Sequence, residues 1–294
     1  MTRSHTQPRD RAFVELQPRL FAVAYRMLGT VSDAEDIVQD AYLRWQRVDA
    51  EKVRDETGYL IRVVTRLCLD HLRAARAIRD AYPGEWLPEP LVTDDVTERL
   101  DRDVSVALMM ALERLSPLER AAFLLHDVFE CSYDELSNTL ERSHSSCRQL
   151  VSRARRHIEH MKPRARVDRE HGQELANAFF SAAKSGDTKH LTDLLSRDVQ
   201  LHSDGGGKII ATLNPIIGRD KVIRFFAGLS RKPSATQPAH WVACQLNGLP
   251  AIINREPGGT LQATSVTIDK GKIAAIYMVR NPDKTRHLES VMSD

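Results

Sequence analysis

The side chains best suited to chemistry with a nucleic acid lie in Ser143–Ile158, SHSSCRQLVSRARRHI. At 100° per residue Cys147, Leu150, Val151, Ala154 and Ile158 share one arc of a helix, and Ser145, Arg148, Gln149, Ser152 and Arg156 share another. One face can pack while the other meets a duplex. Arg148 and Gln149 have the donor geometry to read guanine and adenine edges, whereas Ser145, Arg153 and Arg156 suit phosphate. Between Arg142 and Arg169 nine Lys or Arg stand against two acids, Glu159 and Asp168, which is the local basic excess that phosphate neutralisation needs. A solvated basic helix in a bundle has a similar composition. Against that reading, SYDELSNTL precedes the segment at the spacing of a helix-turn-helix, and Ser143 is a helix start signal.

Other elements must hold this helix in place. Residues 10–80 read as helices, with Phe13, Leu16, Leu20, Val23 and Met27 forming a stripe that Gly29 stops. Ser32-Asp33-Ala34-Glu35 has the form of a capping box. The helix it starts sorts its charge, placing Ile37, Val38, Ala41, Tyr42 and Trp45 on one arc and Asp33, Glu35, Asp36, Gln39 and Asp40 on the other. An acidic arc of this kind is usually a solvated face. In the next helix Arg62, Arg66, Arg73 and Arg76 fall within about 80° of one another, opposite Leu60, Val64, Leu67 and Ile78, a spacing that can track a phosphate backbone. Prolines 83, 88 and 90, Gly84 and an acidic run from Asp94 to Asp103 then mark a linker. Residues 106–160 are helical again, and Lys162–Arg169 is a basic join. After about residue 190, VQLHS, HWVACQL, AIINRE, LQATSVTI and KIAAIYMVR look like strands of an antiparallel sheet separated by Gly and Pro turns. The chain is therefore multidomain, two all-α modules followed by one α+β module.

Composition narrows the function classes. A net charge of +2 over 294 residues is nearly neutral, so a nucleic-acid partner is met by local patches and not by a global field. Cys68, Cys131, Cys147 and Cys244 are scattered without a CxxC pair, which points to neither a zinc site nor a disulfide framework. No metal and no cofactor are expected. No apolar run reaches the roughly 18 residues of a membrane span, and MTRSHTQPRDR has no signal-peptide core, so a cytoplasmic protein without a membrane partner is expected.

DAEDIVQDAYLRW, GYLIRVVTRLCLDHLR and LSPLERAAFLLHDVFECSYDELSNTLERSHSSCRQLVSRARR together resemble regions two and four of an extracytoplasmic-function sigma factor of bacterial RNA polymerase. The resemblance covers about residues 10–160. It implies that the acidic arc, Asp33, Glu35, Asp36, Gln39 and Asp40, docks on the clamp of the polymerase β′ subunit. It also implies that the helix of Arg62, Arg66, Arg73 and Arg76 and the 49–57 loop engage the −10 promoter element, with Tyr59 and Tyr82 weighed between base stacking and core. Residues Ser145, Arg148, Gln149, Ser152, Arg153 and Arg156 would then meet the −35 element. Glu141 stands where this kind of motif often has Gly, so a less regular turn is expected.

The C-terminal part resembles the SnoaL-like branch of the nuclear-transport-factor-2-like fold, a cone with an internal cavity. Three motifs match a sigma subgroup with this extension fused: WLPEP (Trp86, Pro88 within it), DGGGK (Asp204, Gly205, Gly206, Gly207, Lys208) and NPDK (Asn281, Pro282, Asp283, Lys284). Taken singly, each motif could be a plain turn or plug. Thr285 follows NPDK where an apolar residue is expected. The resemblance implies a built-in regulator contacting both modules or their linker, and the organisation 1–85 region two, 86–105 linker, 106–165 region four and 170–290 regulatory domain. Function expected on this basis is promoter-specific initiation with RNA polymerase core and promoter DNA as partners, and no enzymatic activity. The alternative is a ligand-sensing or catalytic cavity holding an unidentified small molecule, for which His202, Asp204 and His240 are the candidate groups, the first two sharing strand parity. Redox sensing through Cys131 or Cys147 is a third reading, opposed by the place of Cys147 on the packing face.

Overall fold

The computed structural model describes residues 8–49, 53–93, 106–158, 168–232, 240–256 and 258–292. The chain divides into two compact units, Met1–Asp80 with Leu100–Met161, and Ala81–Arg99 with Lys162–Asp294.

The first unit is all helix: α1 (Pro8–Leu28), α2 (Val31–Arg47), α3 (Glu56–Asp80), α4 (Val106–Leu112), α5 (Pro117–Phe123) running into a π-helical turn at Leu124–Val128, α6 (Tyr133–Leu140) and α7 (His144–Ile158). Gly29 ends α1 with φ 78°, its N–H bonded to Tyr25 O at 2.7 Å. The start of α2 differs from the sequence expectation. Its N-cap is Thr30, two residues before Ser32, with the Thr30 hydroxyl donating to the Asp33 carboxylate and no side chain capping the backbone. True capping boxes occur later, Ser116 with Glu119 at α5 and Ser132 with Glu135 at α6. Leu20, Tyr25, Leu28, Trp45, Leu60 and Leu112 are among the fully buried side chains, and α3 packs on α1 and α2 and on α5 and α6.

The second unit runs α8 (Arg169–Ser185), α9 (Thr188–Leu194), β1 (Leu195–Asp204), β2 (Ile216–Ile217), α10 (Arg219–Ser230), β3 (Trp241–Leu246), β4 (Leu249–Arg255), β5 (Leu261–Asp269), β6 (Lys272–Val279), α11 (Pro282–Thr285) and a 3-10 turn at Arg286–Met292. Its sheet has the order β2-β1-β6-β5-β4-β3. The expected antiparallel sheet is in fact mixed, because β1 lies parallel to β6, Leu201 opposite Ile276 and Asp204 opposite Val279. One face, with Leu201, Val266, Ile276 and Met278, packs on Phe179 of α8 and Phe226 of α10. By strand alternation Gln200, His202, Asp204 and Tyr277 point to the other face.

Residues 82–93 belong to this unit and lie along it. Val92 bridges Leu246, Thr93 N–H donates to Gln245 O at 3.1 Å, and Asn247 exchanges bonds with Leu91 through N–H to O (2.8 Å) and side-chain Oδ1 from N–H (3.2 Å). The linker thereby joins the C-terminal end of β3, the outer strand of the sheet, through one antiparallel bridge.

Candidate nucleic-acid interface and linker seat

Helix α7 sorts its residues as a duplex-facing helix should. Cys147, Leu150, Val151 and Ala154 are buried, and Ser145, Arg148, Gln149, Ser152, Arg153 and Arg156 are all exposed. Ser143 Oγ accepts from Ser146 N–H at 3.3 Å and caps the helix. Arg148 lies over the Tyr133 ring, 5.7 Å from its centroid, which braces the side chain from α6. Arg155, beside these, is held bidentate by Asp127 at 2.6 and 2.8 Å. The turn before α7 is regular after all. Glu141 takes the left-handed conformation itself, φ 53° and ψ 49°, as the C-cap of α6.

On α3, Arg66, Arg73 and Arg76 are exposed and Arg62 is half-buried. Three of them face carboxylates: Arg66 Nη2 is 2.6 Å from Glu141 Oε1, Arg73 Nη1 2.9 Å from Asp70 Oδ1, and Arg76 Nε 3.6 Å from Asp80 Oδ2. Tyr59 is half-buried beside Trp45, ring centroids 5.8 Å apart. On α2, Glu35, Asp36, Gln39 and Asp40 are exposed and Asp33 is half-buried. Glu35 and Gln39 border a groove of about 650 Å³ between α1 and α2 with Phe13, Val14, Phe21 and Tyr42. Residues 50–52 of the 49–57 loop, the acidic run from Asp94 to Asp103 and most of the basic join lie outside the described residues.

The second unit contains a polar seat for the linker. Asp204, at the end of β1, is 1% exposed and takes four donors: Tyr82 Oη (2.5 Å) and Gly206 N–H (3.0 Å) on Oδ1, Leu87 N–H (3.0 Å) and Lys284 Nζ (2.7 Å) on Oδ2. Lys284, 3% exposed, also donates to Leu87 O at 2.6 Å and sits 3.5 Å from the centroid of the Trp86 ring. Asn281 Nδ2 donates to Tyr82 Oη at 3.0 Å, and its Oδ1 accepts from Asp283 N–H, turning the chain into α11. Burial and the adjacent Asp204 carboxylate push the Tyr82 phenol well above its usual range. Lys208 meets Asp283 on the surface at 2.6 Å. The three glycines are needed for steric reasons. A Cβ on Gly205 would stand 2.0 Å from Ile209 O, one on Gly206 2.4 Å from Asn281, and one on Gly207 2.6 Å from Pro83. Two histidines complete the seat: His202 Nδ1 is 3.0 Å from Glu85, and His287 reaches Glu89 at 2.9 Å and Pro90 O at 2.7 Å.

Residues 12–78 match the Sigma-70 region 2 family and residues 105–158 match Sigma-70, region 4. The sigma factor SigJ of Mycobacterium tuberculosis is 37% identical over 293 residues, covering 92% of this chain and 91% of SigJ. The probable sigma factor SigI of the same species is 32% identical over 95% of each chain. The crystal structure of M. tuberculosis SigJ superposes with a TM-score of 0.75 at 33% identity, over 94% of this chain and 98% of that one. The chain belongs to the extracytoplasmic-function RNA polymerase sigma factors.

As a sigma factor it binds RNA polymerase core and directs promoter-specific initiation, in a family that is not enzymatic. Its fold is the expected one, two helical sigma modules followed by a SnoaL-like α+β domain. Among the described residues no helix is long and apolar enough to cross a membrane, and no cluster of His, Cys, Asp or Glu could hold a metal ion.

Within the sigma factor the motifs flagged in the sequence, Trp86, the buried Pro88, Asp204–Lys208 and Asn281–Lys284, converge on one seat. The proposed cavity groups do not converge. His202 and Asp204 share a face, but it is the face opposite the helix-packed core and it is occupied by the linker. His240 is exposed beside β3, with β6, β5 and β4 between it and β1. Tyr82, weighed as a stacking or core residue, is instead a ligand of Asp204. Thr285 is accommodated in the buried position because its hydroxyl donates to Asn281 O at 3.2 Å. All four thiols are pushed above their usual range by burial, Cys244 to about 12, which opposes redox sensing. Sequence reasoning missed Glu85, His287 and Asn247 and took Glu89 only as part of WLPEP; the two glutamates four residues apart around WLP were the available signal.

Proposed function

We propose that this sigma factor is regulated by its own C-terminal domain, which holds the linker between regions two and four. The observation that carries the reading is the Asp204 seat, which takes the linker at Tyr82, at Leu87 N–H and, through Lys284, at Leu87 O. Seating residues 82–93 shortens the chain that can span between the modules from residues 81–105 to at most 94–105. At ~3.4 Å per residue the freely extensible part of the connection falls from about 85 Å to about 40 Å, with residues 82–93 held as a fixed spacer. The seat thus sets how far apart two DNA-binding modules can stand.

The remaining roles follow from exposure and charge. Helix α7 reads the −35 element with Arg148 and Gln149 and holds phosphate with Ser145, Ser152, Arg153 and Arg156; α3 engages the −10 element through Arg62, Arg66, Arg73 and Arg76. The exposed acids of α2, next to an apolar groove, suit the clamp of the β′ subunit. The protein works in the cytoplasm beside polymerase and performs no covalent chemistry, since His202 and Asp204 are committed to the linker. A second reading, a small molecule in the cone, would draw on Asn254, Gln262 and Thr264, buried polar groups on the helix-facing side of the sheet, where the Gln262 amide donates to the other two. The test is in vitro transcription with core polymerase, comparing the wild-type chain with Asp204→Asn. A several-fold change in transcript, in either direction, supports regulation through the seat; equal output from both removes it, and failure of the wild-type chain to initiate from any promoter removes the assigned roles.

A further inference from the structure

Two acids of region four reach the helix that carries the −10 arginines, and neither contact involves the C-terminal domain. The first is Glu141 on Arg66 at 2.6 Å. Glu141 sits in the left-handed conformation, where a side chain costs energy that Gly does not. The second is Glu113, just after α4, between Arg79 of α3 (2.5 Å) and Arg120 of α5 (2.9 Å). Both arginines also donate to the carbonyls that end α1, Arg79 to Leu28 O and Arg120 to Met27 O, the latter at 2.7 Å. Glu113, Arg79 and Arg120 are 19%, 16% and 4% exposed, so water screens this contact little. Although burial opposes its charge, Arg120 and Arg79 together hold the Glu113 carboxyl below its usual range.

We infer that Glu113 and Glu141 latch region four onto α3, a closed form written into the two sigma modules themselves. It rests on the reading that α3 faces the −10 element. In this form Arg66 is neutralised by a carboxylate from the helix-turn-helix turn, and α5 and α6 lie against α3. A promoter strand opens the latch by exchange, its phosphates replacing Glu141 on Arg66. The buried Glu113 is the stronger hold, because exposed pairs contribute little.

The test uses the full chain with spin labels at Arg73→Cys and Ser145→Cys and a fluorescent single-stranded −10 oligonucleotide. The wild-type chain should give one short label distance. Glu113→Gln should broaden it and raise oligonucleotide affinity about tenfold. Glu141→Gly should raise affinity about twofold without lowering the melting temperature, since Gly suits that backbone; this separates an opened latch from a damaged fold. A label distance unchanged by both substitutions overturns the latch. A distance that lengthens without any gain in affinity supports the latch and overturns the assignment of α3 to the −10 element.

Discussion

Replacing Asp204 by Asn should unseat the linker while barely changing side-chain volume. Asp204 offers two acceptor oxygens to four donors, from Tyr82, Gly206, Leu87 and Lys284. An asparagine keeps one acceptor oxygen and turns an NH2 toward two donors, and the Lys284 ammonium, 3% exposed, loses its counter-charge. Breaking a buried pair by removing one partner costs about 3–5 kcal/mol. At about 1.4 kcal/mol per tenfold, protection of the Leu87 amide should fall by roughly two to three and a half orders of magnitude. The assay is hydrogen exchange of the full chain, following peptides from residues 82–93 against reference peptides of α8. Lys284→Met added to Asp204→Asn removes the stranded ammonium, so the double variant should lose less than the sum of the singles, by about 2 kcal/mol. Protection changed by less than about tenfold, or losses that simply add, would refute the pairing argument.

Gly206→Ala should be destabilising by about 1–3 kcal/mol, because the new methyl meets Asn281 at 2.4 Å and the backbone stays at φ +63°; urea unfolding of the sheet signal reads it. Arg148→Ala should cost about 1–3 kcal/mol on a matched −35 duplex and relax specificity there, whereas Arg156→Ala should weaken all duplexes alike and flatten the salt dependence by about one unit, as measured by anisotropy titrations. The lowered Glu113 carboxyl contributes stability that is complete above its ordinary value of 4.5 and is lost as pH falls below it. The melting temperature of the first unit should therefore drop below about pH 4.5 in the wild-type chain, and Glu113→Gln should lack that part of the drop.

What could be read from the sequence depended on how far apart the cooperating residues lie. The two faces of α7 repeat every 3.6 residues, so Leu150 buried and Arg148 exposed follow from local period alone. The strands were visible as apolar runs, but the parallel pairing of Leu201 with Ile276 joins segments some 75 residues apart and leaves no local trace. The α2 helix has its N-cap at Thr30, two residues before Ser32, with no side chain capping its backbone and the Thr30 hydroxyl bonded to the Asp33 carboxylate, a shift the Ser-Asp-Ala-Glu pattern does not show. Asp204, Gly206 and Lys284 could be flagged as motifs, but their ligands Tyr82 and Leu87 lie more than a hundred residues away. The parity of His202 and Asp204 was legible; which face the helices would cover was not, since that is fixed by Phe179 and Phe226 packing on the opposite side.

The polar character of the seat also follows from what a linker must do. An apolar seat of the same volume would bind about as well or better, since desolvating Asp204 and Lys284 offsets most of their attraction. It would, however, accept the linker in several registers. With Leu87 N–H and O and the Tyr82 hydroxyl all claimed by one ion pair, a one-residue slip of about 3.4 Å leaves the pair without three of its partners. Only one register is therefore satisfied. The same chemistry makes release tolerable, because an emptied seat of carboxylate, ammonium, amide and imidazole groups is wetted readily, whereas an emptied apolar groove would invite association. Under the proposed regulatory role, fixing the linker and releasing it are both better served by this exchange of protein for water partners than by a larger hydrophobic contact.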